Sequence, residues 1–453
     1  MVHENTNSAA GSARWTYSLR LFVHTEAFGG ILLLVCAMAA LIWANSAWSD
    51  EYFDLWHARF TIGTPEFHIT LSVQHWINDA LMAVFFLVVG LEIKRELLVG
   101  ELASVSQAAM PALAAFGGAV VPALIFVAIN LGSDGVHGWG IPMATDIAFA
   151  LGVLALIGSR VPLSLKIFLT ALAIVDDLLA VLVIAVFYTS EVNIPALIGA
   201  AAIVAVLLVA NRRGVRVLLV YLTLGILLWL LVLESGIHAT VAGILLALTI
   251  PAGTRIDSTA FLDKAERILG RFERESLEHR SVLSDARMQE DIQELEGTIN
   301  DVEAPLQNLE HALHPVVAFA IVPLFAMANA GVALNVNLGD VLADQVTIGI
   351  VVGLVFGKQI GITLFAWLAV RFGPARLPEG VTWAHIYGVS CLGGIGFTMS
   401  LFVSDLAYGG GELLDSAKIG ILGASILAGL LGWMVLRYWA PRESPNPADS
   451  QPE

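Results

Sequence analysis

A chain of 453 residues with 57% hydrophobic and only 14% charged residues is not a soluble globular protein, where about a quarter would be charged. Its formal net charge of −16 offers nothing to a polyanion and excludes nucleic acid as a partner. Cys36 and Cys391 both fall inside apolar runs, so no disulfide framework is implied. What these numbers leave is a protein whose main partner is the lipid bilayer.

Taken in order, residues 1–25 form a polar tail. The first apolar run, Phe28 to Trp43, is too long for a signal-peptide core and lacks a small-residue cleavage site. Apolar stretches follow at about 26–47, 77–99, 108–130, 140–158, 165–189, 195–211, 217–233, 237–251, 315–334, 345–370, 384–404 and 417–440. The chain therefore reads as an all-α polytopic membrane protein of about twelve transmembrane helices. Helices one to eight lie in 26–251, helices nine to twelve in 315–440, and 441–453 is a second tail. Of the 23 lysines and arginines, all but Arg59, Lys418 and Lys358 fall on one side. The positive-inside rule makes that side cytoplasmic, with both termini on it.

Between the first two stretches, Phe60 and Ile62, then Gly63 to Glu66, then Phe67, Ile69, Leu71 and Val73 alternate about a Gly/Pro turn. That period predicts an external β-hairpin at about 58–74. A lone hairpin is marginal in water, so it docks on its own protein or pairs with a second copy. The second stretch ends in Glu92, Lys94, Arg95 and Glu96, a polar mouth on the cytoplasmic side.

The fourth stretch opens with Trp139-Gly140-Ile141-Pro142-Met143-Ala144-Thr145-Asp146, where Gly and Pro loosen the helix and Asp146 is an intramembrane carboxylate. The fifth, Leu165 to Thr189, carries Asp176 and Asp177 at its middle. A charge at the centre of a spanning helix costs roughly 2.5–3.5 kcal/mol on the mildest scale, which marks such groups as functional. His238 reads as structural.

The segment 252–314 is a charged, partly helical cytoplasmic insert with 14 acidic and seven basic residues. Ser258 is placed to cap a helix showing Phe261, Ala265, Ile268, Leu269 and Phe272. Ser284 is placed to cap another with Met288, Ile292, Leu295, Ile299 and Val302 at 4-3-4-3 spacing. A solvated spacer and a regulatory surface both fit this pattern. Glu310, His311 and His314 follow and join the mouth; a solvated helix end and a proton-responsive entrance both fit them, the second because His titrates near neutrality.

In the tenth stretch Lys358 needs a buried counter-charge, for which Asp146, Asp176 and Asp177 are the candidates. In the eleventh, Gly393, Gly394 and Gly396 of Val389 to Ser400 make an uninterrupted helix improbable at mid-depth. Breaks in matching positions of two halves point to a transport site.

The runs PMATDIAFALGVLALIGSRVPLSLKIFLTALAIVDDLLAVLVIAVFYT, GLEIKRELLVGEL, ESGIHATVAG, HPVVAFAIVPLFAMANAGV, GKQIGI, LPEG and GGIGFTMSLF resemble the NhaA family of sodium/proton antiporters. The resemblance spans about Thr25 to Arg437, apart from most of 252–304. That family is itself a type case of inverted repeats with two broken, crossing helices, so this architecture is implied by the resemblance and not read from spacing.

By the same resemblance Asp176 and Asp177 bind the transported Na⁺ and protons. Thr145, Asp146 and Lys358 set the electrostatics of the breaks, and Lys358 pairs with Asp176. Glu92, Arg95, Glu96 and Glu310 answer to pH. It implies Na⁺, Li⁺ and H⁺ as transported ions with no cofactor, electrogenic and pH-regulated exchange, and a bacterial inner-membrane location. A homodimer through the first external loop is also expected. The long loop before the ninth span and Asn211 to Gly214 depart from the family pattern.

Two other readings fit less well. A passive cation channel has no use for a mid-membrane lysine. An intramembrane aspartyl protease needs both aspartates on one water, whereas adjacent helix residues point about 100° apart.

Overall fold

The computed structural model describes residues 26–63, 68–189, 192–254, 257–276, 286–333 and 338–441. Seven of its helices are long and apolar enough to cross a membrane. They are α3 (Val73–Val99), α4 (Val105–Asn130), α6 (Leu163–Phe187), α7 (Ile194–Arg212), α12 (Pro305–Asn329), α14 (Gln345–Phe372) and α17 (Glu412–Trp439).

The other five predicted stretches also hold helix. α1 (Glu26–Ala44) turns by 114° into the short, polar α2 (Ser49–His57). A 3₁₀ segment, Asp134–Met143, meets α5 (Ile147–Ile157) at 43°, and α15 (Trp383–Leu392) meets α16 (Phe397–Tyr408) at 46°. These two bends are the breaks expected from Gly140-Ile141-Pro142 and from the glycines at 393–396. α8 (Leu218–Glu234) and the nine-residue α9 (Val241–Thr249) complete the set, and a short α13 (Leu338–Ala343) precedes α14. The chain is a multi-pass, nearly all-helical membrane protein.

Strands β1 (Arg59–Gly63) and β2 (His68–Ser72) pair antiparallel, Arg59 opposite Ser72 and Gly63 opposite His68. The hairpin is as expected, though its turn lies outside the described residues and Val73 already begins α3. The Trp76 indole N–H ties it down by donating to the Phe60 carbonyl at 3.1 Å. Phe60 and Ile62 stay more than half exposed.

Side-chain caps start several of the long helices. Ser104 accepts from the Gln107 N–H ahead of α4, and Asp344 accepts from Val346 and Thr347 at 3.1 Å ahead of α14. α4 and α14 pack backbone to backbone. A Cβ on Gly361 would lie 2.1 Å from the Gly117 carbonyl oxygen, and one on Gly357 2.7 Å from Pro122 Cα. This contact fixes the main chain on both sides of Lys358. Similarly α9 lies on α3, where a Cβ on Gly243 would meet the Ala83 carbonyl at 2.2 Å. Lys94 then reaches across from α3 to the Leu248 carbonyl at 2.8 Å and the Ile250 carbonyl. A cation there satisfies the orphan carbonyls of a short helix and complements its dipole.

The insert forms two helices, α10 (Ser258–Ser276) and α11 (Ala286–Val302), packed on each other. Three details differ from expectation. Asp257 caps α10, its carboxylate accepting from the Ala260 N–H at 2.8 Å, because the helix begins at Ser258 itself, one residue earlier than a Ser258 cap requires. That bond and one from Thr259 hold the Asp257 carboxyl below the usual range. Ile268 and Met288 are buried in the seam while Leu269, Ile292 and Ile299 are exposed, since 4-3 spacing does not say which flank meets the partner. And α12 starts at Pro305, so Glu310, His311 and His314 belong to the spanning helix and not to the insert. Ser284 lies outside the described residues, as do 1–25 and 442–453.

Candidate functional site

The two bends cross each other, and the unwound residues hold one another by hydrogen bonds. Asp146 caps α5, its Oδ1 accepting from the Phe149 N–H at 2.9 Å. Its Oδ2 accepts from the Thr398 N–H at 3.1 Å and the Thr398 hydroxyl at 2.5 Å, at the start of α16. One carboxylate thus serves two helix N-termini, where negative charge is favoured. The Asp146 N–H donates to the Ile395 carbonyl at 2.7 Å, and Ser400 donates to the Ile141 carbonyl at 2.8 Å. Backbone freed from a helix at mid-depth must be satisfied within the protein, and here each break satisfies the other. Gly394 lets α14 approach, since a Cβ there would sit 2.3 Å from the Leu354 carbonyl.

Lys358 lies fully buried beside this crossing. Its ammonium donates to both Asp176 oxygens, at 3.0 and 2.9 Å, and to the Thr145 hydroxyl at 2.8 Å. The Thr145 hydroxyl in turn donates a hydrogen bond to the Gly393 carbonyl at 2.9 Å, just beyond the C-terminus of α15. The lysine therefore pairs with one aspartate and, through one hydroxyl, faces a helix C-terminus. Its three donors are all used.

Asp177 lies one helical step of about 100° further round α6. Its Oδ2 is buried without a hydrogen-bond partner among the described residues. Asp176, Glu92, Asp146 and Lys358 are the charges close enough to act on it.

A family model described as Na⁺/H⁺ antiporter 1 matches residues 20–436. The chain belongs to that family. It is 51% identical over 443 residues to the Na⁺/H⁺ antiporter NhaA 2 of Pseudomonas syringae pv. syringae, which covers 97% of this chain and all of that one. It is 48% identical to the NhaA antiporter of Wolinella succinogenes over 96% of both chains. With that of Koribacter versatilis it shares 49% over 92% of this chain and 90% of the other.

In this antiporter-family chain the mouth residues divide into two groups. Arg95 of α3 bonds Glu310 of α12 and lies 3.1 Å from Glu96, whose other oxygen accepts from the Glu101 N–H at 3.0 Å. Glu310 is buried, with Oε2 unpartnered among the described residues. His311 and His314 are exposed on the outer side of α12 and do not join this cluster. Glu92 lies one turn before Glu96, between the cluster and Asp177.

Sequence reasoning passed over Thr398, Tyr188 and Tyr408. The two tyrosines pin the 3₁₀ segment, Tyr188 donating to the His137 carbonyl at 2.9 Å and Tyr408 to that of Gly135 at 2.8 Å. It also passed over Asn78, paired with Asn329 and donating to Asp405 at 2.9 Å. His238 sits near them, 3.4 Å from Asp79. Thr398→Val leaves Asp146 with a buried oxygen short of one partner. It should cost about 1–3 kcal/mol in thermal unfolding, and Thr398→Ser should restore most of it. Equal stability of all three forms would show that the hydroxyl carries no weight.

Proposed function

We propose that this chain exchanges Na⁺ or Li⁺ from the cytoplasm for external protons around the aspartate pair. It is a transporter and not an enzyme. The observation that carries the mechanism is the buried Lys358–Asp176 pair, with an unpartnered carboxylate oxygen of Asp177 one helical step away. Na⁺ and Li⁺ are hard cations that prefer oxygen ligands, and two adjacent carboxylates supply them. When the cation takes the carboxylates, Lys358 loses its partner and its proton becomes dispensable. When protons return, the cation's ligands are lost. Both ligands compete for one site, and exposure to one face at a time turns competition into exchange.

More than one proton per cation moves net charge, so the membrane potential of the inner membrane can drive the cycle. The Arg95–Glu310–Glu96 cluster ties α3 to α12 and lies in line with Glu92 and Asp177, a route by which cytoplasmic protons set activity. The deciding experiment is dequenching of a pH dye in everted vesicles on adding Na⁺. Sodium flux with no proton movement would favour the channel reading instead.

The exposed hairpin is read as the contact with a second copy. Removing 59–72 should leave a monomer in detergent; an unchanged oligomer would place the interface elsewhere. The insert stands outside the site, with α10 and α11 packed mainly on each other. Deleting 257–303 should therefore preserve exchange while shifting its pH dependence through Glu310 on α12. Loss of exchange in a folded deletion would make the insert part of the machine.

A further inference from the structure

An open groove of about 620 Å³ runs between α14 and α15 on the outer surface. One wall is the stripe Phe356, Ile360, Leu364 and Trp367, at helical spacing along α14; Trp383 and Tyr387 of α15 form the other. The floor is polar but closed. Tyr387 donates to Gln359 at 2.9 Å, and the Thr363 hydroxyl donates to Ser390 at 3.0 Å. No described side chain fills the space above, and Phe356, Ile360, Leu364 and Trp367 are all more than 40% exposed.

The length of the groove and the chemistry at its end point to the occupant. Phe356 to Trp367 covers about 16 Å at 1.5 Å per residue, half of a hydrocarbon core of about 30 Å. The groove is one leaflet deep. The groove is open along its length and walled by apolar side chains, a surface that an extended acyl chain from that leaflet can follow. Trp367 and Trp383 stand together at one end, where tryptophans mark the edge of the hydrocarbon. One turn beyond lies Arg371, its guanidinium 5.5 Å from the Phe372 ring, which in turn contacts Trp367 edge-on at 6.0 Å. A planar guanidinium matches phosphate oxygens in pairs, and a lipid of net negative charge is held there more strongly.

We propose that this groove binds one acyl chain of an anionic phospholipid from the leaflet on the Arg371 side, with the lipid phosphate against Arg371. The chain end reaches Phe356 and Gln359, next to Lys358 on the same helix.

The test uses the full chain in phosphatidylcholine vesicles, with trace phosphatidylglycerol or phosphatidylcholine bearing a photoreactive group midway along one acyl chain. Phosphatidylglycerol should label Ile360 and Leu364 at least about tenfold more than Leu427 and Leu430, which face lipid on α17 without a groove. Arg371→Gln should remove the preference for phosphatidylglycerol over phosphatidylcholine. Leu364→Trp should bring labelling of Ile360 down to the α17 level. Labelling of Ile360 and Leu364 no stronger than that of Leu427 and Leu430 in the unaltered chain overturns the proposal without recourse to any variant. Equal labelling by both lipids overturns the role of Arg371.

Discussion

Asp177→Asn reduces Na⁺-dependent proton movement in everted vesicles to the level of vesicles without the protein, while the chain inserts and unfolds normally. The amide keeps the size of the carboxylate but neither takes up a proton nor presents a negative oxygen to a cation. Stability is preserved because Oδ2 has no hydrogen bond to lose and the buried charge disappears. Function falls while stability holds or rises, a combination that a merely structural residue does not give. Near-normal exchange by the folded variant would remove Asp177 from the mechanism.

Lys358→Ala acts in the opposite sense on stability. Taking one partner from a buried, bidentate ion pair leaves an uncompensated carboxylate, which costs about 3–5 kcal/mol. Thr145 also loses the ammonium that donates to it. Adding Asp176→Asn removes the stranded charge, so the double variant should recover part of the loss. The double-mutant cycle in thermal unfolding isolates this coupling. Strictly additive losses would mean that the lysine is held by the helix C-terminus beyond Thr145 and not by Asp176.

Charges announced themselves in the sequence because their cost inside an apolar run is large. Asp146, Asp176, Asp177 and Lys358 are legible for that reason, and the two breaks follow from Gly and Pro in otherwise apolar runs. Thr398 was not legible, since a hydroxyl in a helix satisfies itself on its own backbone and raises no alarm until a distant carboxylate is placed beside it. Lys94 looked like one more residue of the mouth; its capping of α9 depends on a contact between elements far apart in sequence. His311 and His314 shared a segment with Glu310, yet His311 is turned about 100° away and His314, one turn further on, is exposed. In the insert, an apolar spacing with two flanks did not reveal that Leu269 and Ile292 are exposed while Ile268 and Met288 are buried.

The crossing of the two breaks is, mechanically, a pin joint. Its links are short bonds between residues that belong to no helix ladder or stand at its first turn, such as Asp146 to Ile395 and Thr398 to Asp146. They fix where the two unwound segments meet, with no helix ladder running through the joint itself. No i→i−4 bond crosses the joint, so a change of angle between α5 and α16 there is opposed by side-chain packing and not by a continuous helix ladder. Asp146 holds both arms at once, so motion on one side is delivered to the other through a single side chain.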